Sequence, residues 1–204
     1  MTGPLEGIRI VDLTQVVSGP LATMLLADQG AEVIKVEPLG VGGDVTRLPS
    51  FAKGGISSFF VNNNRGKRSL AIDLTKEEGK QIVIDLVEQA DVFIQNFRPG
   101  AIERLGLSYD ELKAVNSKLI YCSISGFGPD GPYSDRPVLD PVIQGLTGMV
   151  SRQLNPQIPF PDLVRNLVAD KSTAFTSAQA ITAALFSRER TGEGQFLQIP
   201  MLDS

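Results

Sequence analysis

Three short stretches near the start of the chain decide the fold: IRIVDL at residues 8–13, PLATMLLADQ at 20–29 and AEVIKVE at 31–37. The first and third are apolar runs rich in β-branched residues, which predicts buried strands. The second predicts a helix, because Pro20 suits the first helical position and Gly30 the position just after the last. This order predicts a right-handed βαβ unit and therefore a parallel sheet.

The rest of the chain continues the alternation of strands and helices. Capping boxes are predicted at Thr75 with Glu78 and at Ser108 with Glu111. Residues 38–67, rich in glycine and asparagine, are expected to form a long irregular loop over a site. The prediction is an α/β fold with an open, mostly parallel Rossmann-like sheet flanked by helices. Further strands are predicted at 69–74, 91–96, 119–126 and 195–203, and helices at 76–90, 109–116, from about 138 and at 168–190.

Composition argues against several classes of function. The 204 residues carry a net charge of −4, so we expect no nucleic-acid partner. There is no run of 18 apolar residues and no secretory signal pattern, which favours a cytoplasmic protein with no membrane contact. The single cysteine, Cys122, is expected to be a buried, inert thiol. The chain has no histidine, so we expect no metal site and a chemistry based on carboxylates, hydroxyls, lysine, tyrosine or backbone dipoles.

A dinucleotide site is the first candidate that such a fold suggests. Glu37 ends the second strand, at the place where an acidic residue would hold a ribose. The first turn, TQVVSGP, contains only Gly19, whereas a pyrophosphate needs close backbone approach at several glycines. The sequence therefore argues against this site.

Asp170 is the second candidate. It falls on the apolar stripe of the last predicted helix, three residues after Leu167 and four before Ala174, and a carboxylate there needs partners or a task. Two compatible interpretations stay open: a functional carboxylate, or the N-cap of the helix. In either case the amides at the helix start are expected to keep Asp170 ionised.

Cations near strand ends are the third candidate. Arg98 and Arg104 follow the strand predicted at 91–96, and open sheets bind ligands at the carboxyl ends of their strands. Arg98 is therefore well placed for a phosphate. Lys67 and Arg68 precede a strand and would reach such a ligand only through loop geometry. For any one of these cations, a solvated surface charge is the simpler interpretation.

Six ordered blocks of sequence resemble the class III CoA-transferases of the formyl-CoA transferase type. The blocks are colinear and cover the whole chain: PLEGIRIVDLTQVVSGP, GAEVIKVEP, NRGKRSLAIDL, ADVFIQNFRPGAIERLGL, SISGFGPDGPY and ADKSTAFTSAQAITAALFSRERTGEGQ. Members of that family are about twice as long. The resemblance implies that residues 1–204 are the N-terminal part of the large CoA-binding domain, without the small domain and the returning C-terminal segment. It also implies an interlocked homodimer for the full-length protein.

The resemblance implies transfer of CoA between an acyl-CoA thioester and a free carboxylic acid, through aspartyl mixed-anhydride and aspartyl-CoA intermediates. Asp170 is then the catalytic nucleophile, and Asp140 is the acidic residue close to it. Such a nucleophile needs no histidine base, because an aspartate with an ordinary pKa of about 3.9 is ionised at pH 7. Coenzyme A is expected as a substrate moiety and not as a tightly bound cofactor. The positions implied for CoA binding are Val17, Ile72, Asp73, Leu74, Thr75, Asn96, Phe97, Arg98 and Arg104.

Three positions depart from the formyl-CoA transferase pattern. Val17 stands where that enzyme has a glutamine, and Pro38 and Pro137 replace an arginine and a lysine that contact CoA there. These changes argue against formyl-CoA or oxalate as substrates, although not against CoA. A racemase branch of the family uses a His–Asp pair, and Leu139 stands where that histidine would precede Asp140. A 2-methylacyl-CoA racemase-like activity is therefore disfavoured, and a non-catalytic CoA-binding fragment remains the contrasting hypothesis.

Overall fold

A central parallel sheet organises the chain. The structure is a computed structural model that describes residues 3–48, 52–153, 157, 159–160 and 162–204. Within these ranges, six strands are joined in parallel in the order β5-β2-β1-β6-β7-β8, and β3 and β4 form a separate antiparallel pair. The predicted open parallel sheet is confirmed. The strands are β1 (Arg9–Asp12), β2 (Glu32–Pro38), β3 (Ala52–Lys53), β4 (Ile56–Ser57), β5 (Arg68–Ile72), β6 (Val92–Gln95), β7 (Ile120–Ser125) and β8 (Gln195–Pro200).

Helices cover both faces of this sheet. None of the described helices combines the length and the apolar character that a membrane-spanning segment needs. The helix predicted at 168–190 is confirmed, and it ends before Gly192, whose φ of 75° suits a residue without a side chain. The helices are α1 (Ser18–Asp28), α2 (Ser58–Asn64), α3 (Glu77–Glu88), α4 (Ala101–Arg104), α5 (Tyr109–Val115), α6 (Asp140–Leu146) and α7 (Val168–Thr191).

The core consists of two apolar layers, one on each side of the sheet. Along β1, Ile10 belongs to the layer under α1 and α7, whereas Val11 belongs to the layer under α3 and α5. Successive residues of a strand point to opposite faces, so a strand covered on both faces must be apolar throughout. This explains why the central strands β1, β6 and β7 read as largely apolar runs in the sequence.

The strand order reverses direction at β1, and this reversal positions the candidate site. From β1 the chain crosses to β2 and then β5 on one side, and to β6, β7 and β8 on the other. A crevice opens outside the carboxyl ends of the strands at such a switch point. The segment between β1 and α1, residues 13–17, is called the β1–α1 turn below, and it lies at this place.

Two local predictions are wrong. Residues 38–67 contain α2 and the β3–β4 pair and do not form only an irregular loop, although residues 49–51 lie outside the described part. The helix α2 tolerates its asparagines because the Nδ2 groups of Asn63 and Asn64 donate to the carbonyls of Phe59 and Phe60 at 2.8 and 3.0 Å. These bonds turn side chains that usually compete with a helix into partners of its own backbone.

The second wrong prediction is the capping box of α3. The Thr75 hydroxyl and N–H both donate to Asp73 Oδ1, at 2.6 and 3.0 Å, so Thr75 closes a local turn and does not cap the helix. The helix begins after Lys76 without a side-chain cap. The box of Ser108 and Glu111 on α5 is confirmed.

Candidate active site

A buried carboxylate at the end of β1, Asp12, anchors one side of the site. Its oxygens accept hydrogen bonds from Thr14 N–H at 2.8 Å, from the Thr23 hydroxyl at 2.6 Å and from Lys67 Nζ at 3.0 Å. Burial acts to raise the pKa of Asp12, but the charges of Lys67 and Lys35 and the hydroxyl bonds outweigh it and hold the pKa at about 2. Lys67 is therefore a buried structural partner and not a cation that reaches a ligand.

Side chains from neighbouring strands fix the β1–α1 turn. Lys35 Nζ donates to the Thr14 carbonyl at 2.7 Å. The amide of Asn96 makes two bonds to the backbone of Gln15: Oδ1 accepts from its N–H at 2.9 Å, and Nδ2 donates to its carbonyl at 2.8 Å. A Cβ on Gly19 would lie 2.3 Å from Thr14 Cβ. Gly19, the second residue of α1, thus allows the β1–α1 turn to pack closely on this helix.

Asp170 lies opposite this turn, in the first turn of α7. It is the third residue of the helix, Leu167 is the N-cap residue, and no side chain caps the helix. The N-cap interpretation is therefore wrong. The Asp170 carboxyl instead faces Ser18, at the start of α1, whose backbone N–H and hydroxyl act to lower its pKa. The carboxyl is held between two helices.

The pKa of Asp170 is raised to about 6 from an ordinary value of 3.8. Burial is the largest cause and the negative charge of Asp140 the second, and both outweigh the two bonds from Ser18. The amides at the helix start do not offset these two effects, although a pKa of about 6 still leaves Asp170 mostly ionised at pH 7, as expected.

Asp140 begins α6 and is 2% exposed. One of its oxygens accepts from the Asp170 N–H at 2.9 Å, and the other accepts from Gln144 Nε2 at 2.6 Å. The Oε1 atom of Gln144 in turn accepts from Val164 N–H at 2.9 Å, and its Nε2 lies 3.2 Å from the Asn166 carbonyl. With both oxygens occupied, Asp140 positions the start of α7 and contributes charge next to Asp170.

A cavity of about 470 Å³ lies in front of Asp170, at the carboxyl ends of β1, β6 and β7. It contains the predicted nucleophile, its acidic neighbour and three of the predicted CoA positions. A carboxyl and two guanidinium-bearing side chains, Arg98 and Arg136, thus share one concave site. The lining residues are Val16, Ser18, Asn96, Phe97, Arg98, Pro99, Ile124, Ser125, Gly126, Arg136, Pro137, Val138, Leu139, Asp140, Val142, Asp170 and Met201.

The other predicted CoA positions lie outside this cavity. Val17 is 2% exposed and lines a neighbouring cavity of about 780 Å³ that also reaches Asp140. Residues 72–75 lie at the carboxyl end of β5, which β2 and β1 separate from β6. Arg104 is exposed at the end of α4, with its guanidinium beside Gly100 in the loop after Arg98. A ligand that touched all of these positions would have to extend along the carboxyl ends of four strands.

Arg136 is a site residue that sequence reasoning missed. It lines the cavity next to Pro137, the position where the related pattern has a lysine. Its guanidinium carbon lies 4.9 Å from the centre of the Tyr133 ring. The sequence offered one signal for it: Arg136 is a cation directly before Pro137, which replaces the lysine of the family pattern. The surrounding stretch consists of turn residues.

Three remaining sequence candidates have structural roles. Burial acts to raise the pKa of Glu37, but hydrogen bonds, first those from Arg47, hold it at about 2. The Glu37 carboxylate is therefore already bound within the chain and is not free to bind a ribose. Arg68 pairs with Glu32 at 2.7 Å. Cys122 is buried as expected, and burial raises the pKa of its thiol to about 12. In the described ranges, no cluster of three or more acidic or cysteine side chains is arranged to hold a metal.

The fold and the site together define a class of protein. An open parallel α/β sheet with a half-buried carboxyl and two arginines at its switch point is suited to a phosphorylated, carbonyl-bearing ligand. Comparison with known sequences identifies the family: residues 5–204 match CoA-transferase family III, and the chain belongs to it.

Individual relatives are similar over almost the whole chain. The succinate–glutarate CoA-transferase of Agrobacterium fabrum is 43% identical over 207 residues, covering 98% of this chain and 51% of that protein. The probable fatty acyl-CoA transferase Rv3272 of Mycobacterium tuberculosis is 40% identical over 203 residues, with the same coverage. The crystal structure of Rv3272 superposes with a TM-score of 0.92, covering 98% of this chain and 56% of that one. A CAIB/BAIF family protein from Brucella suis gives 0.93 at 40% identity, with 100% and 54% coverage. The chain spans about half the length of the curated relatives it matches.

Proposed function

We propose that the protein to which this chain belongs is a CoA-transferase that moves CoA from an acyl-CoA thioester to a free carboxylic acid. The observation that carries the proposal is the Asp170 carboxyl, half-buried, with a pKa raised to about 6, in one cavity with Arg98 and Arg136. Membership of CoA-transferase family III and relatives named as CoA-transferases support the same activity.

In the proposed mechanism, the Asp170 carboxylate attacks the thioester carbonyl. A C–O bond forms and the C–S bond breaks. The products are a mixed anhydride between the acyl group and Asp170, and CoA as a free thiolate. The thiolate then attacks the aspartyl carbonyl, which releases the first acid and leaves an aspartyl-CoA thioester. The same two steps then run in reverse with the acceptor acid. Its carboxylate attacks the aspartyl-CoA thioester to give a second mixed anhydride and CoA thiolate. The thiolate attacks the acceptor carbonyl, which releases the new acyl-CoA and regenerates the Asp170 carboxylate. No net proton is transferred, which agrees with the absence of histidine from this chain.

The raised pKa of Asp170 has a catalytic consequence. A carboxylate with a pKa of about 6 is a stronger nucleophile than an ordinary aspartate, yet roughly nine tenths of it is ionised at pH 7. The transfer rate is therefore expected to decrease as the pH falls through about 6. Ser18 contributes a backbone N–H and a hydroxyl beside the Asp170 carboxyl at the start of α1, and both favour its ionised, nucleophilic form.

Arginines of the cavity are proposed to hold the phosphates of CoA. Arg98 follows β6, Arg136 lies across the cavity, and Arg104 is adjacent to the loop after Arg98. Guanidinium groups bind phosphates with paired hydrogen bonds. Residues 72–75, at the end of β5, are proposed to contact a more distant part of the same ligand. The full-length protein is proposed to be a cytoplasmic homodimer.

Hydroxylamine trapping tests the function in the full-length encoded protein. Acyl-CoAs of different chain length and charge are each added with hydroxylamine, and peptides are analysed by mass spectrometry. The expected result is a hydroxamate on Asp170 with at least one donor, together with formation of a second acyl-CoA when a free acid is supplied. The control is Asp170→Asn, which should bind CoA without forming the adduct. Tight binding of CoA with neither hydroxamate nor exchange would establish a non-catalytic CoA-binding protein instead.

A further inference from the structure

Three consecutive residues of the β1–α1 turn are held by side chains from elsewhere in the sheet. Thr14 is bound through its carbonyl by Lys35 of β2, and Gln15 through its N–H and its carbonyl by Asn96 after β6. The Val16 N–H lies 3.5 Å from Asp44 Oδ1. Lys35 and Asp44 also pair with each other at 3.0 Å, and their side chains are 1% and 0% exposed. The turn is thus anchored by the buried ion pair of Lys35 and Asp44 and by the side-chain amide of Asn96.

The backbone at Val16 shows that this anchoring imposes a conformation. Val16 has a φ of 72°, and no other non-glycine residue in the described ranges has a positive φ. A β-branched residue adopts this conformation only when the surrounding contacts over-determine it, and such residues are concentrated at functional sites. Val16 also lines the cavity that contains Asp170.

The residue that follows the turn shows what the conformation achieves. Ser18 is 4% exposed and lines the same cavity as Asp170, and its backbone N–H and hydroxyl act to lower the pKa of the Asp170 carboxyl. A shift of the turn would therefore move the two polar groups of Ser18 that act on the nucleophile. Among the anchors, only Asn96 is both in the cavity and bonded to the turn through two atoms of its side chain.

We propose that Asn96 is a positioning residue that holds the β1–α1 turn, and through it Ser18, in the geometry that orients the Asp170 carboxyl. This inference rests on the proposed function, and it assigns to the Asn96 side chain a role different from direct contact with CoA. The carbonyl oxygen and one N–H of the amide are already committed to Gln15 at 2.9 and 2.8 Å. Contact with CoA at this position is then left to the second N–H of the amide, to the backbone and to the neighbours Phe97 and Arg98.

The test compares Asn96→Ala with Asn116→Ala in the full-length protein. Asn116 is a matched control, because its amide also donates to backbone carbonyls, those of Val87 and Ala90 at 2.9 and 2.8 Å, but it lies outside the cavity. For each variant, kcat and KM are measured across pH, CoA affinity is measured by calorimetry, and thermal stability is recorded.

Asn96→Ala is expected to reduce kcat by about tenfold or more, with the dissociation constant of CoA changed less than about threefold. The acid limb of kcat/KM is expected to move to higher pH, because the bonds from Ser18 lower the pKa of Asp170 and would be weakened. The charge that acts on Asp170 is that of Asp140, on α6, and the other charged side chains lining the cavity are Arg98 and Arg136; the substitution leaves all three in place. Asn116→Ala is expected to lose stability while keeping kcat and the pH profile.

Other outcomes would overturn the inference. A large loss of CoA affinity with unchanged kcat and pH profile would make Asn96 a ligand of CoA. A loss of kcat without a shift of the acid limb would make its role merely structural. If Asn96→Ala does not fold, Asn96→Ser retains an acceptor for the Gln15 N–H and should show a smaller shift in the same direction.

A second measurement separates this inference from the proposed function. The carboxyl carbon of Asp170 is titrated by NMR in protein labelled with ¹³C-aspartate, with Asp170→Asn identifying the signal. The pKa of Asp170 should rise in Asn96→Ala and not in Asn116→Ala, whether or not the protein turns over any acyl-CoA. An inactive parent protein with the predicted shift would contradict only the proposed function, and an active parent without the shift would contradict only the positioning role.

Discussion

At the scale of single residues, the environment of Asp170 changes both chemistry and stability. The pKa of this carboxyl is about 6 in the folded chain, against an ordinary value of 3.8. Ionisation is therefore harder in the folded than in the unfolded state. The resulting penalty is absent below pH 3.8, grows as the pH rises between the two values, and is complete above about 6.

Asp170→Asn removes this penalty and is expected to stabilise the full-length protein at pH 7. The gain should be roughly 1–2 kcal/mol, because each pKa unit corresponds to about 1.4 kcal/mol and the partly exposed group is screened by solvent. The advantage should disappear as the pH is lowered toward 4. Denaturant unfolding at pH 7 and at pH 4 measures both values, and an equal difference at the two pH values would contradict the raised pKa.

Arg136→Ala is expected to weaken CoA binding by about 1–3 kcal/mol, the scale of a hydrogen bond to a charged group. Arg190→Ala is the control, since the Arg190 guanidinium lies over the Phe186 ring at 4.4 Å, near the other end of α7. Calorimetry at low salt should show an effect for the first variant alone. Equal affinities would remove Arg136 from the site.

These residues also show which parts of a site can be predicted from a sequence. Asp170 could be found because it breaks the apolar stripe of a long helix, and Arg98 because it follows a buried strand. The pKa of Asp170 could not, since it depends on burial and on Asp140, which the fold brings close from 30 positions away. Arg136 has no periodic signal, because it lies among turn residues.

At the scale of elements, the central strands were predictable because burial on both faces gives them continuous apolar character. The helix α7 was predictable because apolar residues recur along one of its faces. The helix α2 was not, because its asparagines favour turns until Asn63 and Asn64 bond back to the helix carbonyls. The capping box of α3 failed because Asp73 competes for Thr75, a contact that the spacing of Thr75 and Glu78 does not reveal.

The attachment of β5 to the centre of the sheet depends on one buried pair. Lys67, directly before β5, is 2% exposed in its side chain and lies 3.0 Å from Asp12, whose side chain is fully buried. Lys67→Met is expected to destabilise the protein by about 3–5 kcal/mol, because it removes the positive charge that contributes most to balancing the buried Asp12 carboxylate.

The neighbouring residue provides the control for that prediction. Arg68 pairs with Glu32, but its side chain is 75% exposed, so Arg68→Ala should cost less than about 1 kcal/mol. Both variants are compared by urea unfolding of the full-length protein. Similar losses for the two variants would show that burial of the Lys67 pair has no special importance.

At the scale of the whole molecule, large apolar side chains remain exposed on the outer side of α1 and α7. Phe175 and Phe186 on α7 are 59% and 61% exposed, and they border a groove of about 620 Å³ with Leu25 of α1. Exposed apolar patches of this kind are typical of contact surfaces. We expect the full-length protein to be a homodimer in which this side is covered. Light scattering with an in-line refractometer measures the mass, and an active, stable monomer would contradict the expectation.

The contrast between Asp170 and the other buried carboxyls has a practical consequence for covalent labelling. Water-soluble carbodiimides activate a carboxyl group in its protonated form. At pH 6 about half of Asp170 is protonated, whereas Asp12 and Glu37, with pKa values of about 2, are almost entirely ionised. A carbodiimide used near that pH should therefore favour the carboxyl in the cavity over these two. The same environment that makes Asp170 a stronger nucleophile thus also makes it an addressable position for a probe or an inhibitor.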